Sequence, residues 1–411
     1  MSLTHDRLFR LWKVAAGLYW TAFGLIWLPV ARELLGPSGF LPEPRYNFSQ
    51  VHFPWMGWTW LTDPATALIP WSLIVGGLLL MSPWDRAGAA LLWLISVIAL
   101  NRNNMVESAE WPLWGVLLFA WALTGLRSPA TSFLLWLSLA LFSALTAVDQ
   151  ALSGWVFSPA LGRLLENTYL TQSWALENVV PVLQGPIGSV LSTLIFALHL
   201  TTPLLILFFP TRRLVLFLWV ILHLGSLALL GFPQIALGFL IWTLGLFLAH
   251  SPLACWYQLR ERRRLALFVV ATSFVVVARP FSLMSAAPTP GMSKTWALSP
   301  LQYPFGRPFA SDGYQNRVTI KLIGPPDRTL QNDRELFEAL SDNSRRRLFV
   351  FNSLSTFHRM NPGLIRQILQ RSFCEGGLLR EKLRIESRVQ ALRISRSHVS
   401  GSITSLEFPC P

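Results

Sequence analysis

The chain has 411 residues, of which 52% are hydrophobic and only 13% are charged. A soluble domain carries about 25% charged residues, so the composition excludes an ordinary soluble protein and indicates an integral membrane protein. The net charge of +13 fits cytoplasmic loops and surfaces near anionic lipid, and we do not expect nucleic-acid binding. Nineteen Trp residues indicate belts at the membrane interfaces, where the ring is half buried.

The apolar runs predict a polytopic α-helical bundle of about nine transmembrane helices, because one span needs about 20 apolar residues. The expected spans are 9–30, 65–82, 87–101, 111–126, 130–149, 187–209, 213–231, 234–251 and 265–282. The first run follows Arg7 and Arg10 and lacks a small-residue cleavage site, so it is expected to be a retained anchor.

Positive charge alternates between the loops. The strongly basic loops hold Arg7, Arg10, Lys13, Arg86, Arg127, Arg212, Arg213 and the segment 260–264, and the intervening loops mix both signs. The positive-inside rule then predicts a cytoplasmic N-terminus. Nine crossings place the C-terminus outside, in a periplasmic, other extracytoplasmic or lumenal space. The long loops 32–64 and 150–186 are expected at the outer interface, in the mouth of the bundle, or as tethered surface loops.

After Arg279-Pro280 the composition changes, and residues 283–411 contain no run long enough to cross a membrane. Alternating apolar residues predict strands around Val318–Leu322, 348–351, 383–385 and 392–394. A helix is expected to begin at Asn361-Pro362 and to stop before Gly376. The chain is therefore divided into a membrane bundle (1–282) and a small extramembrane α+β domain (283–411). This tail holds 18 basic and 10 acidic residues, which indicates either a solvated face or a surface for headgroups or an acidic partner.

Three cysteines are present, without CxxC or metal-ligand spacing, so no metal site is expected. Cys374 and Cys410 share the tail. If the tail faces an oxidising space, where disulfides persist, these two are expected to pair, whereas Cys255 is expected to be a free thiol. Two unrelated thiols in the tail are the alternative.

Polar residues inside or beside apolar runs are the candidates for a site. Asn103 and Asn104 are expected near the outer end of the third span, where their amides bind a ligand or bond neighbouring helices. His199 and His223 lie on neighbouring spans. Each is expected to act either as a proton acceptor or as a hydrogen-bonded strut between helices. Asp149 ends the fifth span. It can act as a base if burial raises its pKa; the alternative is a solvated carboxylate at the membrane interface.

The order of four sequence blocks resembles the horizontally transferred transmembrane domain, the membrane region shared with vitamin K-dependent gamma-carboxylase. The blocks are Phe53-Pro54-Trp55-Met56-Gly57-Trp58, Asn103-Asn104, Gly154-Trp155, and His223 with Gly231-Phe232-Pro233. They cover roughly residues 8–282. The resemblance implies about nine spans, a cytoplasmic N-terminus and a β-rich C-terminal region outside.

The chain departs from this family at the residues that carry its chemistry. The carboxylase has a Lys pair shortly before the Trp of the third block, one of which is the base tied to vitamin K oxygenation. The matching positions here are Asp149 and Gln150, and Gln cannot titrate. Met105 stands where a His commonly follows the paired Asn. The tail has no obvious match to the carboxylase's propeptide-binding region.

The sequence therefore predicts a gamma-carboxylase-like scaffold that does not carboxylate glutamate. Its outer-facing cavity, near Asn103, Asn104, Asp149, His199 and His223, is expected to hold a lipid-like or quinone-like molecule, whose identity stays open. Two alternatives remain. One is a membrane enzyme with redox or acid–base chemistry that uses Asp149 or His223. The other is a structural subunit of a larger membrane complex, with no site of its own. Membrane lipids, and in the last case other membrane proteins, are the expected partners.

Overall fold

A computed structural model of the chain describes residues 2–36, 39, 64–102, 110–152, 154–166, 171–272, 316–324, 328–331, 343, 366, 370–374, 377, 388–398 and 403–411. Its helices are α1 (Ser2–Trp27), α2 (Ala31–Leu35), α3 (Leu68–Met81), α4 (Asp85–Arg102), α5 (Trp111–Thr124), α6 (Pro129–Leu152), α7 (Ala160–Leu165), α8 (Ser173–Asn178), α9 (Val180–Leu183), α10 (Pro186–Leu205), α11 (Phe209–Leu229), α12 (Pro233–Leu248) and α13 (Pro252–Arg260). A 3-10 turn (Pro64–Ala67) precedes α3, and residues 263–272 are also helical.

The long helices form a closed ring. Each helix packs on the next in the order α1, α3, α4, α5, α6, α10, α11 and α12, and α12 packs back on α1. α5 is apolar on every side and is buried almost throughout, from Trp111 to Trp121. A helix without a polar face is stable only when other elements surround it, and α5 therefore lies in the interior of the bundle.

The expectation of nine spans is wrong. Within the described residues, three helices are long and apolar enough to cross a membrane: Pro129–Val148, Pro186–Leu205 and Pro210–Leu229. A fourth is obtained if α12 and α13, which are bent by 61°, count as one broken span. Four of the other expected positions, 9–30, 65–82, 87–101 and 111–126, are helical over most of their length but do not qualify, and of 265–282 the structure describes only residues 265–272. α3 and α5 have 14 residues each, or about 21 Å at 1.5 Å per residue, against a hydrocarbon core of about 30 Å. α1 carries four charges in its first half.

Several Trp residues pack inside the bundle, contrary to the expected interfacial belts. Fully buried examples are Trp20, Trp27, Trp114, Trp121, Trp219 and Trp242. The rings on α1 and α5 form a continuous column, in which Trp12 stacks on Trp114 at 6.5 Å and Tyr19 stacks on the same indole at 5.6 Å between ring centroids. Trp71, Trp84, Trp174 and Trp256 are exposed, as the belt interpretation requires.

The bundle has two chemically different ends. At the end called here the basic end, ion pairs tie α1 to its neighbours: Lys13 pairs with Asp85 at the start of α4 at 3.2 Å, and Asp6 pairs with Arg127 of the loop before α6 at 2.9 Å. The opposite end is called the tail end, because the C-terminal domain contacts it. There Asn343 Nδ2 donates to Ile26 O at 3.0 Å, and Arg371 NH1 donates to Gly39 O at 3.0 Å.

The described tail contains a four-stranded antiparallel sheet in the order β2-β1-β3-β4. The strands are β1 (Asn316–Gly324), β2 (Arg328–Gln331), β3 (Ala391–His398) and β4 (Ile403–Pro409). The cross-strand row Leu322, Leu392 and Phe408 is buried. The strands expected at 318–322 and 392–394 are confirmed as parts of β1 and β3. β2 and β4 were not expected. The strands expected at 348–351 and 383–385 lie outside the described residues.

A disulfide bond links the C-terminal end of the tail to the end of a short helix. A disulfide joins Cys374 and Cys410, whose Cα atoms are 5.5 Å apart, and Cys255 is a buried free thiol. The link closes a loop across 36 positions, for which the chain-entropy model gives about 3–4 kcal/mol. Residues 370–373 and residue 366 are helical, within the helix expected to end before Gly376.

α1 and α3 approach so closely that only glycine fits at their crossing. A Cβ atom at Gly77 would lie 2.6 Å from Gly17 O and 2.7 Å from Thr21 N, both backbone atoms that cannot rotate away. Small residues at crossings allow this approach, which is how helices associate in apolar surroundings.

We expect Gly77→Ala to lower the free energy of unfolding by about 1–3 kcal/mol, the cost of overpacking. The matched control is Gly225→Ala on α11, where an added Cβ meets nothing within 4 Å. This control should leave stability unchanged or slightly raised, because Ala is the better helix former. Thermal unfolding of both variants in one detergent is the measurement, and equal midpoints would contradict the crossing described above.

Candidate functional site

Two of the residues singled out from the sequence meet inside the bundle. His199 of α10 and His223 of α11 both contact the buried indole of Trp219, at 5.0 and 5.4 Å between ring centroids. Phe142 of α6 and Phe239 of α12 complete the group, 5.5 Å apart. These five residues, the histidine cluster, therefore join all four helices α6, α10, α11 and α12.

The cluster has one firmly bonded side. His199 Nδ1 donates to Ile195 O of its own helix at 2.8 Å. Trp219 Nε1 donates to Thr202 Oγ1 at 3.0 Å. These bonds fix the ring of His199 to its own helix and join the indole of Trp219 on α11 to Thr202 on α10.

His223 is held differently. Its ring stacks on Phe239 at 5.1 Å with an interplanar angle of 9°. The side chain is 5% exposed, and its Nε2 has no hydrogen-bond partner in the described part of the chain. A buried polar atom without a partner costs about 1–3 kcal/mol, so its retention calls for an explanation such as a ligand.

A polar stripe on α6 continues from the cluster. Ser143, Thr146 and Gln150 follow one another at spacings of three and four, which puts them on one helix face. They share that face with Phe142, which contacts His199 and Phe239. Ser143 Oγ, Thr146 Oγ1 and Gln150 Oε1 are all buried without a partner in the described chain.

The stripe runs toward the tail end, where α12 begins. Gln234 Nε2, on the first turn of α12, is likewise buried without a partner among the described residues. His223 lies six residues before the end of α11 at this same end. The tail-end half of the four helices thus contains hydroxyl, amide and imidazole groups whose hydrogen-bonding capacity the described chain leaves unused. These groups can bind the oxygen atoms of a ligand's polar head group, and the aromatic rings of the histidine cluster can pack against a head group that is planar.

A buried carboxyl group lies nearby, in one of the loops expected to mix both signs of charge. Glu110 precedes α5, is fully buried, and accepts a hydrogen bond from Tyr19 Oη at 3.2 Å. A Cβ at Gly238 of α12 would lie 2.8 Å from Glu110 Cγ and 2.6 Å from Tyr19 Oη. The signal available in the sequence was its position directly before the all-apolar helix α5.

The other candidates are placed only in part. Asn103 and Asn104 lie outside the described residues. Asp149 belongs to the last turns of α6, and its side chain is outside the described part. Within the described residues no group of three or more His, Cys, Asp or Glu side chains is arranged to hold a metal ion.

Two of the four blocks behind the family resemblance pack against each other. Trp155, of the block Gly154-Trp155, and Phe232, of the turn after α11, belong to one buried cluster with Ala160 and Leu164. Trp155 N also donates to Gln150 O at 3.0 Å. The blocks 53–58 and 103–104 lie outside the described residues.

No family model, curated protein or solved structure matches this chain. The resemblance to the gamma-carboxylase-like domain therefore rests on its sequence blocks.

Proposed function

We propose that this protein is an integral membrane protein that binds a lipid-like molecule with a polar head, such as a quinone, between α6, α10, α11 and α12. The observation that carries the proposal is the set of buried, unpartnered polar atoms beside the histidine cluster. Burying a polar atom without a hydrogen-bond partner costs free energy, and a ligand that supplies the partner offsets that cost. His223 Nε2, Gln150 Oε1 and Gln234 Nε2 offer acceptors and donors to a ligand's oxygen atoms.

The surroundings favour a ligand that arrives from the bilayer. α10 and α11 are the least buried of the apolar helices that could cross a membrane, with 22% of each apolar window inside the bundle. Their outer faces are apolar and exposed, for example at Leu194 and Phe217. A molecule dissolved in the hydrocarbon therefore meets these two helices before it meets the polar stripe.

Two other functions have their own support. An enzyme is favoured by the unpartnered Nε2 of His223, which in the neutral form can accept a proton; Asp149 is the second candidate base. A structural subunit is favoured by the exposed apolar faces of α10 and α11, which also suit a neighbouring membrane protein.

We expect the chain, purified in mild detergent, to carry a quinone or prenyl lipid that mass spectrometry of an organic extract identifies. Decylubiquinone serves as the probe for binding by the delipidated protein, read as a rise in the thermal unfolding midpoint. His223→Phe should weaken probe binding at least about tenfold, the effect of about 1.4 kcal/mol. The same variant should unfold at a higher temperature without probe, because the unpartnered nitrogen is gone.

Ser226→Ala, one turn further along α11, is the matched control, since its hydroxyl bonds only to Leu222 O in the described chain. It should leave both midpoints near those of the unsubstituted protein. Probe binding by His223→Phe at full strength would refute the site. A stoichiometric partner protein in place of a lipid would favour the subunit, and turnover that disappears in His223→Phe would favour the enzyme.

We further propose that the basic end faces the cytoplasm and the tail end faces an oxidising compartment. The supporting observations are Arg86 and Arg127, which bond to the end of α5 and to the first turns of α1 at the basic end, and the Cys374–Cys410 disulfide in the domain at the other end. In right-side-out vesicles, a membrane-impermeant reductant followed by an impermeant maleimide should label Cys374 and Cys410, and should leave Cys255 unmodified. Labelling of the pair in inverted vesicles alone would reverse this topology.

We expect no vitamin K-dependent carboxylation. Asp149 and Gln150 stand where the gamma-carboxylase family has its Lys pair, and an amide cannot act as the titrating base. The assay is incorporation of labelled carbon dioxide into a Glu-containing peptide in the presence of reduced vitamin K, against a reaction without protein. Incorporation above that background would show that another group supplies the base.

A further inference from the structure

α12 does not continue into the next helix but breaks sharply at the basic end. α13 follows after three residues, at an angle of 61° to α12. Hydrogen bonds fix the break. Trp136 Nε1 donates to His250 O at 2.7 Å, His250 N donates to Ser132 Oγ at 3.2 Å, and Ser251 Oγ caps α13 by accepting from Ala254 N at 3.2 Å.

α13 advances little along the axis of α12, because it is short and is bent away from that axis by 61°. Its nine residues reach about 14 Å. It also ends in a dense positive segment, in which Arg260, Arg262, Arg263 and Arg264 are all exposed. Arginine in the hydrocarbon core is costly, so the end of α13 must lie at the level of the lipid headgroups or beyond it.

The two faces of α13 differ. Pro252, Cys255 and Leu259 are buried, and Leu259 packs with Ala130 at the start of α6. The outward face consists of Leu253, Trp256, Tyr257 and Arg260, all exposed, at the i, i+3, i+4 and i+7 positions of a helical stripe. Trp256 is 61% exposed and Tyr257 is 66% exposed.

We propose that α13 and the arginine segment 260–264 form a docking surface for anionic phospholipid at the membrane interface of the basic end. Trp and Tyr are the residues that prefer the interface between headgroups and acyl chains, and Leu253 adds apolar area beside them. The four exposed arginines, opposed in this segment only by Glu261, complement the negative charge of anionic headgroups. The fixed bend lays the helix along the membrane surface, as interfacial amphipathic helices lie.

The test is native mass spectrometry of the full chain in an equimolar mixture of phosphatidylglycerol and phosphatidylcholine. The unsubstituted protein should retain phosphatidylglycerol in preference to phosphatidylcholine, and added salt should reduce that preference because exposed charges are screened. The triple variant Arg262→Gln/Arg263→Gln/Arg264→Gln should lower the preference at least about fivefold, the effect expected of a single juxtamembrane charge.

The matched control removes three positive charges from the tail: Lys321→Gln/Arg366→Gln/Arg388→Gln, all at exposed positions. It should keep the preference. A second variant, Trp256→Ala/Tyr257→Ala, should lower retention of both lipids while leaving their ratio unchanged. Unfolding midpoints in phosphatidylcholine alone, equal among these proteins, show that each is folded.

Equal retention of the two lipids by the unsubstituted protein would overturn the proposal. So would an equal loss of preference in the tail control, which would assign the effect to net charge. Dimers that disappear in Trp256→Ala/Tyr257→Ala, with no change in lipid retention, would assign this face to a second copy of the chain and overturn it as well.

Discussion

The indole of Trp114 holds the bundle together. It stacks on Trp12 and Tyr19 of α1, meets Trp20 edge to face at 5.8 Å, and donates to Gly238 O of α12 at 3.2 Å. Such ring contacts contribute about 0.5–1.5 kcal/mol each beyond the area they bury. Because α12 also carries Phe239, whose ring stacks on His223, the position of the histidine cluster depends on this central contact.

The arrangement separates two kinds of packing. Around α1, α3 and α5, glycines and large rings fill the space, and the hydroxyl groups mostly bond to their own helix, as Thr21 Oγ1 does to Gly17 O at 2.9 Å. Around α6, α10, α11 and α12, by contrast, the polar atoms of the stripe are left over. Two indole nitrogens of the first region, Trp20 Nε1 and Trp121 Nε1, are also buried without a partner in the described chain. The two regions therefore differ in the kind of polar atom left over, since the second also leaves hydroxyl, amide and imidazole atoms.

The apolar runs were sufficient to locate the long helices, since the first eight expected spans each coincide with one in the described residues, but not to count the crossings. Hydropathy averages composition over a window and is insensitive to burial, so α5, apolar because protein surrounds it, gave the same signal as a helix surrounded by lipid. The sequence placed His199 and His223 on neighbouring helices, but it gave no sign that Trp219 lies between them. The polar stripe was missed because a single Ser, Thr or Gln in an apolar run carries no functional signal. The spacing of 143, 146 and 150, which places all three on one helix face, could have been recognised in the sequence. Glu110 was missed because a charge beside a helix is usually solvated.

The ring of helices closes through partners that are far apart along the chain. Trp12 Nε1 donates to Ile241 O at 2.6 Å across a separation of 229 residues, and Trp114 reaches Gly238 across 124. During synthesis, α1 and α5 are therefore complete long before the helix that covers them. Until α12 arrives, the aromatic column has one side open to lipid or to an assisting protein, and closure of the ring is a late, non-local step of the kind that slows folding. Substitutions in α12 are thus expected to act on the yield of assembled protein before they act on any property of the finished one.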